Sequence, residues 1–164
     1  MSHREVLLAG SAYEDGESDL GWMIRRKSGS AVIRMLGYAF RKTLRRCTSA
    51  VTFDRASFEQ AVAAAPDGAL YVLAPSHRSY FDFLLMSYLC FQHPELGIPI
   101  PYIAAAEEFS RIPLVGQLLR RAQAFYIQRG VGTASSSLNA ELARISELGA
   151  SLMFFIEGQR SRSR

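Results

Sequence analysis

"ALYVLAPSHRSYFDFLLMSYLCFQHP", residues 69–94, holds two apolar runs separated by a polar turn that carries His77, Arg78, Ser79 and Asp82. Ala69 to Ala74 follows the turn signal Pro66-Asp67-Gly68 and is short and apolar, so it reads as a buried strand. Ser79 to Gln92 is too long for a buried strand and stops near Pro94, so it reads as a helix. Ionisable groups thus stand between a strand and a helix, where the chain turns.

The same alternation continues in both directions. Ser57 to Ala65 is a short helix ended by the Pro66-Asp67-Gly68 turn. Downstream, Tyr102 to Ala105 reads as a second strand, Pro113 to Ala122 as a helix with Pro at its start, and Phe125 to Gln128 as a third strand. Ala134 to Leu148 follows as a helix with Gly149 as its stop, then Ser151 to Ile156 as a fourth strand. Regular succession of strand and helix predicts an α/β fold, a mixed, largely parallel sheet flanked by helices, preceded by an N-terminal helical segment. The expected division is 1–56 for the leader and helical segment and 57–164 for the α/β domain.

Ligands of open parallel sheets sit beyond the carboxyl ends of the strands. Pro75 to His77 follows the first strand, Glu107-Glu108 the second, Arg129 the third, and Glu157 to Arg164 the fourth. Parallel strands would bring all four polar clusters to one edge. The last two clusters hold Arg129 and then Glu157, Gly158, Arg160, Ser161 and Arg162. Arginines, a hydroxyl and a glycine that lets the backbone approach are suited to holding a phosphate; a solvated strand end and a basic tail are the plainer readings of the same residues.

For His77 and Asp82 two readings stand. If the helix begins at Ser79, His77 lies in the preceding loop and Asp82, in the first turn, reaches back to it. The carboxylate would then fix the imidazole tautomer and leave the other ring nitrogen as a base toward a hydroxyl. Alternatively, Ser79-Tyr80-Phe81-Asp82 is a capping box, and the acid serves the helix start and its dipole.

Composition bounds the rest. With 164 residues, about half of them apolar, the chain has material for one core of ordinary domain size. No apolar run approaches the roughly 18 residues of a membrane span, and the first residues do not read as a secretory signal. Cys47 and Cys90 match no metal or redox spacing, and a reducing compartment is expected; Cys90, inside an apolar helix, reads as core. From Met1 to Leu20 stand Glu5, Glu14, Asp15, Glu17 and Asp19 with one arginine; from Gly21 to Thr48 stand Arg25, Arg26, Lys27, Arg34, Arg41, Lys42, Arg45 and Arg46 with no acid. The second block expects an anionic partner. Within it Ile33, Leu36, Phe40, Leu44 and Cys47 form a helical stripe with Arg34, Arg41 and Lys42 off it. Such a helix either lies on an anionic lipid surface or packs on its own domain with a solvated basic face. Nucleic acid is not expected, since no binding module or aromatic and basic interleaving follows. No Gly-x-Ser-x-Gly, P-loop or His-Glu-x-x-His occurs, and "RGVGTAS" lacks the third glycine and following acid of a dinucleotide site.

Three stretches together resemble one family. "SHRSYFD" resembles the His-x-x-x-x-Asp motif of the glycerophosphate acyltransferases, "AFYIQR" their second block and "FFIEGQRSRS" their third. The likeness covers Leu70 to Arg164 and leans to the glycerol-3-phosphate and dihydroxyacetone-phosphate branch. Lysophosphatidate acyltransferases share the His-Asp and Glu-Gly elements and stand as an alternative. The resemblance implies that His77 is the general base, Asp82 its orienting partner, and that transfer is direct, with no covalent acyl-enzyme. It also implies that Arg129, Arg160 and Arg162 hold the acceptor phosphate with Gly158 and Ser161 nearby, while Glu157 fixes an arginine or the loop. Acyl-CoA or acyl-carrier protein would be the co-substrate, with no other cofactor and no metal.

Two departures bear on this. Gln123 stands where the family commonly has a glycine before the aromatic pair, and Gly130 where a second arginine is common. The chain also ends directly after the third block, where the family continues into a fourth, so a fragment is expected. A catalytically silent, lipid-binding module of the same fold is therefore the alternative from another class. The resemblance and the basic helix together imply a peripheral protein on the cytoplasmic face of a membrane, peroxisomal or mitochondrial in a eukaryote.

Overall fold

Strands and helices alternate in the order β1 (Arg4–Ala9), α1 (Ala31–Cys47), β2 (Ala50–Asp54), α2 (Arg55–Ala63), β3 (Val72–Leu73), α3 (Asp82–Gln92), β4 (Tyr102–Ala106), α4 (Val115–Arg121), β5 (Ala124–Ile127), α5 (Ser136–Glu147) and β6 (Leu152–Met153). Short 3-10 turns, Pro94–Leu96 and Glu107–Arg111, follow α3 and β4. The computed structural model describes residues 4–9, 29–76, 78–79, 81–127 and 136–156. The chain divides into two compact units, Met1–Pro66 with Tyr88–Ile98, and Asp67–Ser87 with Pro99–Arg164.

In the first unit, α1 begins at Ser30, whose side chain accepts from the Ile33 amide at 3.3 Å. Arg45 and Arg46 in its last turn suit the negative end of the helix dipole. Its buried face is Gly37, Phe40, Arg41 and Leu44. The expected stripe is therefore rotated: Arg41, placed off it, is only 3% exposed, and Cys47, placed on it, is exposed. Gly37 is the cause. A Cβ there would stand 2.6 Å from the Phe91 ring, so the glycine admits that ring and centres the inward face on itself. Apolar periodicity gives a glycine no weight and missed this. Phe40 meets Tyr88 edge-on at 5.5 Å.

β1 and β2 pair antiparallel, Arg4 opposite Asp54 and Ala9 opposite Ala50, with a register shift between Val6 and Leu8. Neither strand is predicted by the apolar pattern of the sequence. Asp54 then caps α2 by accepting from the Ser57 amide at 3.3 Å. Arg55, the first residue of α2, donates to Glu95 at 3.1 Å, and His93 lies 2.7 Å from the same oxygen. Partial burial resists the charge on Glu95, but the hydrogen bonds from His93, its own amide and Arg55 outweigh it and hold the carboxyl at about 2. Cys90 is 3% exposed, and burial pushes its thiol up to about 12. It is core, as the sequence implies, and no nucleophile at neutral pH.

The second unit is built on a four-stranded sheet of order β3-β6-β4-β5 in which every pairing is parallel. The α/β expectation holds. β3 and β6 are shorter than the apolar runs that predict them. Their contact continues for a residue on each side, through Leu152 N to Tyr71 O at 2.9 Å and Phe154 N to Leu73 O at 3.1 Å. Pro75, which has no N–H, follows close behind. Helix α5 supplies Leu138, Leu142 and the fully buried Ile145 to a core with Phe125 and Leu152. It stops at Gly149, whose φ of +60° lets the Ala150 amide turn back to Ile145 O at 3.3 Å.

Between β4 and β5 the expected helix is preceded by the 3-10 turn Glu107–Arg111 and starts later, at Val115. Gly116 makes the corner possible: a Cβ there would come 2.5 Å from the Ser110 carbonyl oxygen, a backbone atom. Gly116→Ala should therefore cost about 1–3 kcal/mol through displaced backbone, despite alanine's better helix propensity. Urea denaturation of the two forms checks this, and an unchanged midpoint would mean that the corner yields freely. Tyr126 of β5 pins the same corner by donating its hydroxyl hydrogen to Gly116 O at 2.9 Å.

Candidate active site

Because all four strands run the same way, Leu73, Ala106, Ile127 and Met153 end at one edge of the sheet. The order β3-β6-β4-β5 puts β6 directly beside β3, so the segments leaving those two strands start as neighbours. At the end of β3 the chain runs through Ala74, Pro75 and Ser76 toward the start of α3.

Asp82 is the first residue of α3. One of its oxygens, Oδ2, accepts from the Arg78 amide at 2.7 Å and from the Ser79 amide at 2.6 Å. The Ser79 hydroxyl accepts from the Phe81 amide at 3.1 Å. The acid thus accepts from the Ser79 amide, as the capping reading requires, whereas the serine hydroxyl accepts one residue short of the usual capping-box position. Both bonds to Asp82 are charge-assisted, and together they fold the loop over the helix start. The sequence reading weighed Arg78 only as a charged side chain. Its amide and that of Ser79 together hold the carboxylate; the Ser-x-x-Asp spacing signals the Ser79 bond, and nothing in the residue types signals the one from Arg78.

His77 lies outside the described residues, as do Arg129, Glu157, Gly158, Arg160, Ser161 and Arg162. The described chain approaches them from known positions. His77 directly precedes the amide that grips Asp82, Arg129 follows β5 by two residues, and Glu157 follows Ile156 beyond β6. After β4, Ser110 donates to the Glu107 carbonyl at 2.6 Å, and Arg111 lies 3.7 Å from the Glu107 carboxylate. The Arg120 guanidinium lies over the Tyr126 ring at 5.3 Å. Among the described residues no group of three or more His, Cys, Asp or Glu could hold a metal ion, and no helix is long and apolar enough to cross a membrane.

Gln123, the residue before β5, has φ of +65°. This is a backbone conformation that glycine adopts without strain, which gives a physical reason for the glycine the family resemblance implies there. The Gln123 side-chain oxygen is also buried with no hydrogen-bond partner among the described residues. Gln123→Gly should relieve both costs and raise stability by about 1 kcal/mol. A thermal midpoint that falls instead would show that the glutamine contributes more by packing than it loses by strain.

The acyltransferase family model matches residues 55–164. The glycerol-3-phosphate acyltransferase of Xylella fastidiosa (strain 9a5c) is 37% identical over 146 residues, which cover 87% of this chain and 16% of that protein. That of Xanthomonas axonopodis pv. citri is 36% identical over 145 residues, with the same two shares of 87% and 16%. The dihydroxyacetone phosphate acyltransferase of Bos taurus is 33% identical over 135 residues, 80% of this chain and 19% of that protein. The chain spans between 16% and 19% of the length of these relatives.

Proposed function

Because this chain belongs to the acyltransferase family, we propose that it transfers a fatty acyl group from an acyl thioester to the hydroxyl of glycerol 3-phosphate or dihydroxyacetone phosphate. Relatives named for each of these acceptors support a phosphorylated three-carbon alcohol as the substrate class. The observation that carries the mechanism is the Asp82 carboxylate, held at 2.6 and 2.7 Å by the two amides that directly follow His77. A carboxylate fixed there stands ready to orient the imidazole and to stabilise its protonated form.

The steps then follow from the chemistry. His77 takes the proton from the acceptor hydroxyl as its oxygen attacks the thioester carbonyl. The tetrahedral species collapses, the C–S bond breaks, and the thiolate takes the proton back from the imidazolium. No acyl-enzyme forms. Arg129, Arg160 and Arg162 hold the acceptor phosphate, with the Gly158 backbone and the Ser161 hydroxyl beside it, and Glu157 fixes an arginine or the loop. The donor is acyl-CoA or acyl-carrier protein. Peripheral attachment to the cytoplasmic face of an anionic membrane is served by the exposed Lys42 and Arg46 and the half-exposed Arg34 and Arg45 of α1.

Supplying radiolabelled glycerol 3-phosphate or dihydroxyacetone phosphate in parallel, with palmitoyl-CoA, tests the reading. Label entering lipid from one acceptor names it. Label entering from neither, with folded chain present, favours a lipid-binding module of the same fold without turnover.

A further inference from the structure

Phe109, Ile112, Leu114, Val115 and Leu118 are 40%, 44%, 82%, 38% and 39% exposed, five large apolar side chains within ten residues of the second unit. Leu114 is the most exposed of them and sits in an unusual backbone conformation, φ +65° and ψ −43°. The Val115 amide donates to Pro113 O at 2.8 Å across it. This is the tight γ-turn that costs an L-residue strain. The strained turn costs stability and a leucine 82% exposed returns little by burial, so among the described residues the fold itself gives no reason for that side chain. We propose that the Phe109–Leu118 segment is a membrane-inserting element, with Leu114 as its tip, that seats the carboxyl edge of the sheet on an anionic bilayer.

Three observations select lipid as the occupant. The tip is a single raised leucine on a tight turn, a shape that fluid acyl chains close around. Arginines flank it: the Arg111 side chain is 77% exposed, and Arg120 and Arg121 are exposed at the end of α4. They match phosphate headgroups around an apolar tip, three arginines against two acids, of which Glu107 is within 3.7 Å of Arg111 and Glu108 is exposed. Finally, the segment follows β4, whose end lies at the same sheet edge as the end of β3. This last point rests on the acyl-transfer reading, in which donor and product are amphiphiles that reach this edge from a membrane. Helix α1, by contrast, has Phe40 and Leu44 buried, and its one large exposed apolar side chain is Met35, so it offers charge with a smaller apolar surface than the Phe109–Leu118 segment.

Leu114→Gly separates binding from folding, because glycine accepts the positive φ and removes the apolar tip. Sedimentation of the whole chain with phosphatidylcholine vesicles containing phosphatidylglycerol should show partitioning at least about tenfold weaker for Leu114→Gly than for the natural chain. Its thermal midpoint should be unchanged or higher. Arg111→Gln should weaken binding a few-fold, and only to vesicles with phosphatidylglycerol. The proposal fails if the natural chain stays in the supernatant, or if Leu114→Gly binds as well as it does. It fails equally if the substitution abolishes self-association without vesicles and leaves lipid binding intact. No substrate is present in this assay, and His77→Ala should bind vesicles as the natural chain does, so loss of lipid binding and loss of acyl transfer are read separately.

Discussion

His77→Ala is expected to lower acyl transfer on the order of 10²- to 10⁴-fold with the fold intact, which is the usual contribution of a positioned general base. The loss should fall on kcat, because the acceptor phosphate is assigned to Arg129, Arg160 and Arg162. In the natural chain, kcat/KM should rise with pH as the imidazole gives up its proton and becomes able to act as a base. That rising limb should vanish in His77→Ala. A rate that fell without any change in the shape of the profile would mean that His77 supports the loop and takes no proton.

The proposed mechanism gives Asp82 a second job beside holding the Arg78 and Ser79 amides, and two substitutions divide them. Asp82→Ala removes the acceptor of the Arg78 and Ser79 amides and should cost about 1–3 kcal/mol of stability as well as activity. Asp82→Asn keeps one oxygen for those amides and should cost under about 1 kcal/mol. It nevertheless loses the negative charge that the proposed mechanism sets against the base, and transfer should fall on the order of 10²-fold or more. The rising limb of its pH profile should move to lower pH, since removing a neighbouring carboxylate makes an imidazolium easier to deprotonate. If Asp82→Asn is as active as the natural chain, the acid is a helix cap and nothing more.

The sheet was legible because its strands are short apolar runs bounded by Gly, Pro and polar turns, and because helices of about the right length separate them. Its edge follows from the same pattern because strands separated by helices run parallel. The β1–β2 pair was not legible. Its partners are 41 to 50 residues apart, no turn signal joins them, and β1 lies within the acidic stretch from Met1 to Leu20. The inward face of α1 escaped for a different reason: Gly37 is defined by what it admits, the Phe91 ring, and not by any side chain of its own. At the site, the Ser-x-x-Asp spacing implies the bond that the Ser79 amide donates to Asp82. The second bond, from the Arg78 amide, belongs to backbone geometry that residue types do not encode. Leu114 escaped likewise, since "RIPLVG" reads as a plain helix start until its backbone angles are known.

Incorporation of labelled acceptor into lipid by the natural chain and by His77→Ala, matched for folding by circular dichroism and supplied with the same acyl-CoA, tests the central claim most directly. Transfer by the natural chain that falls at least about 10²-fold in His77→Ala is the predicted result. Equal transfer by the two forms would contradict the assignment of His77 as the base.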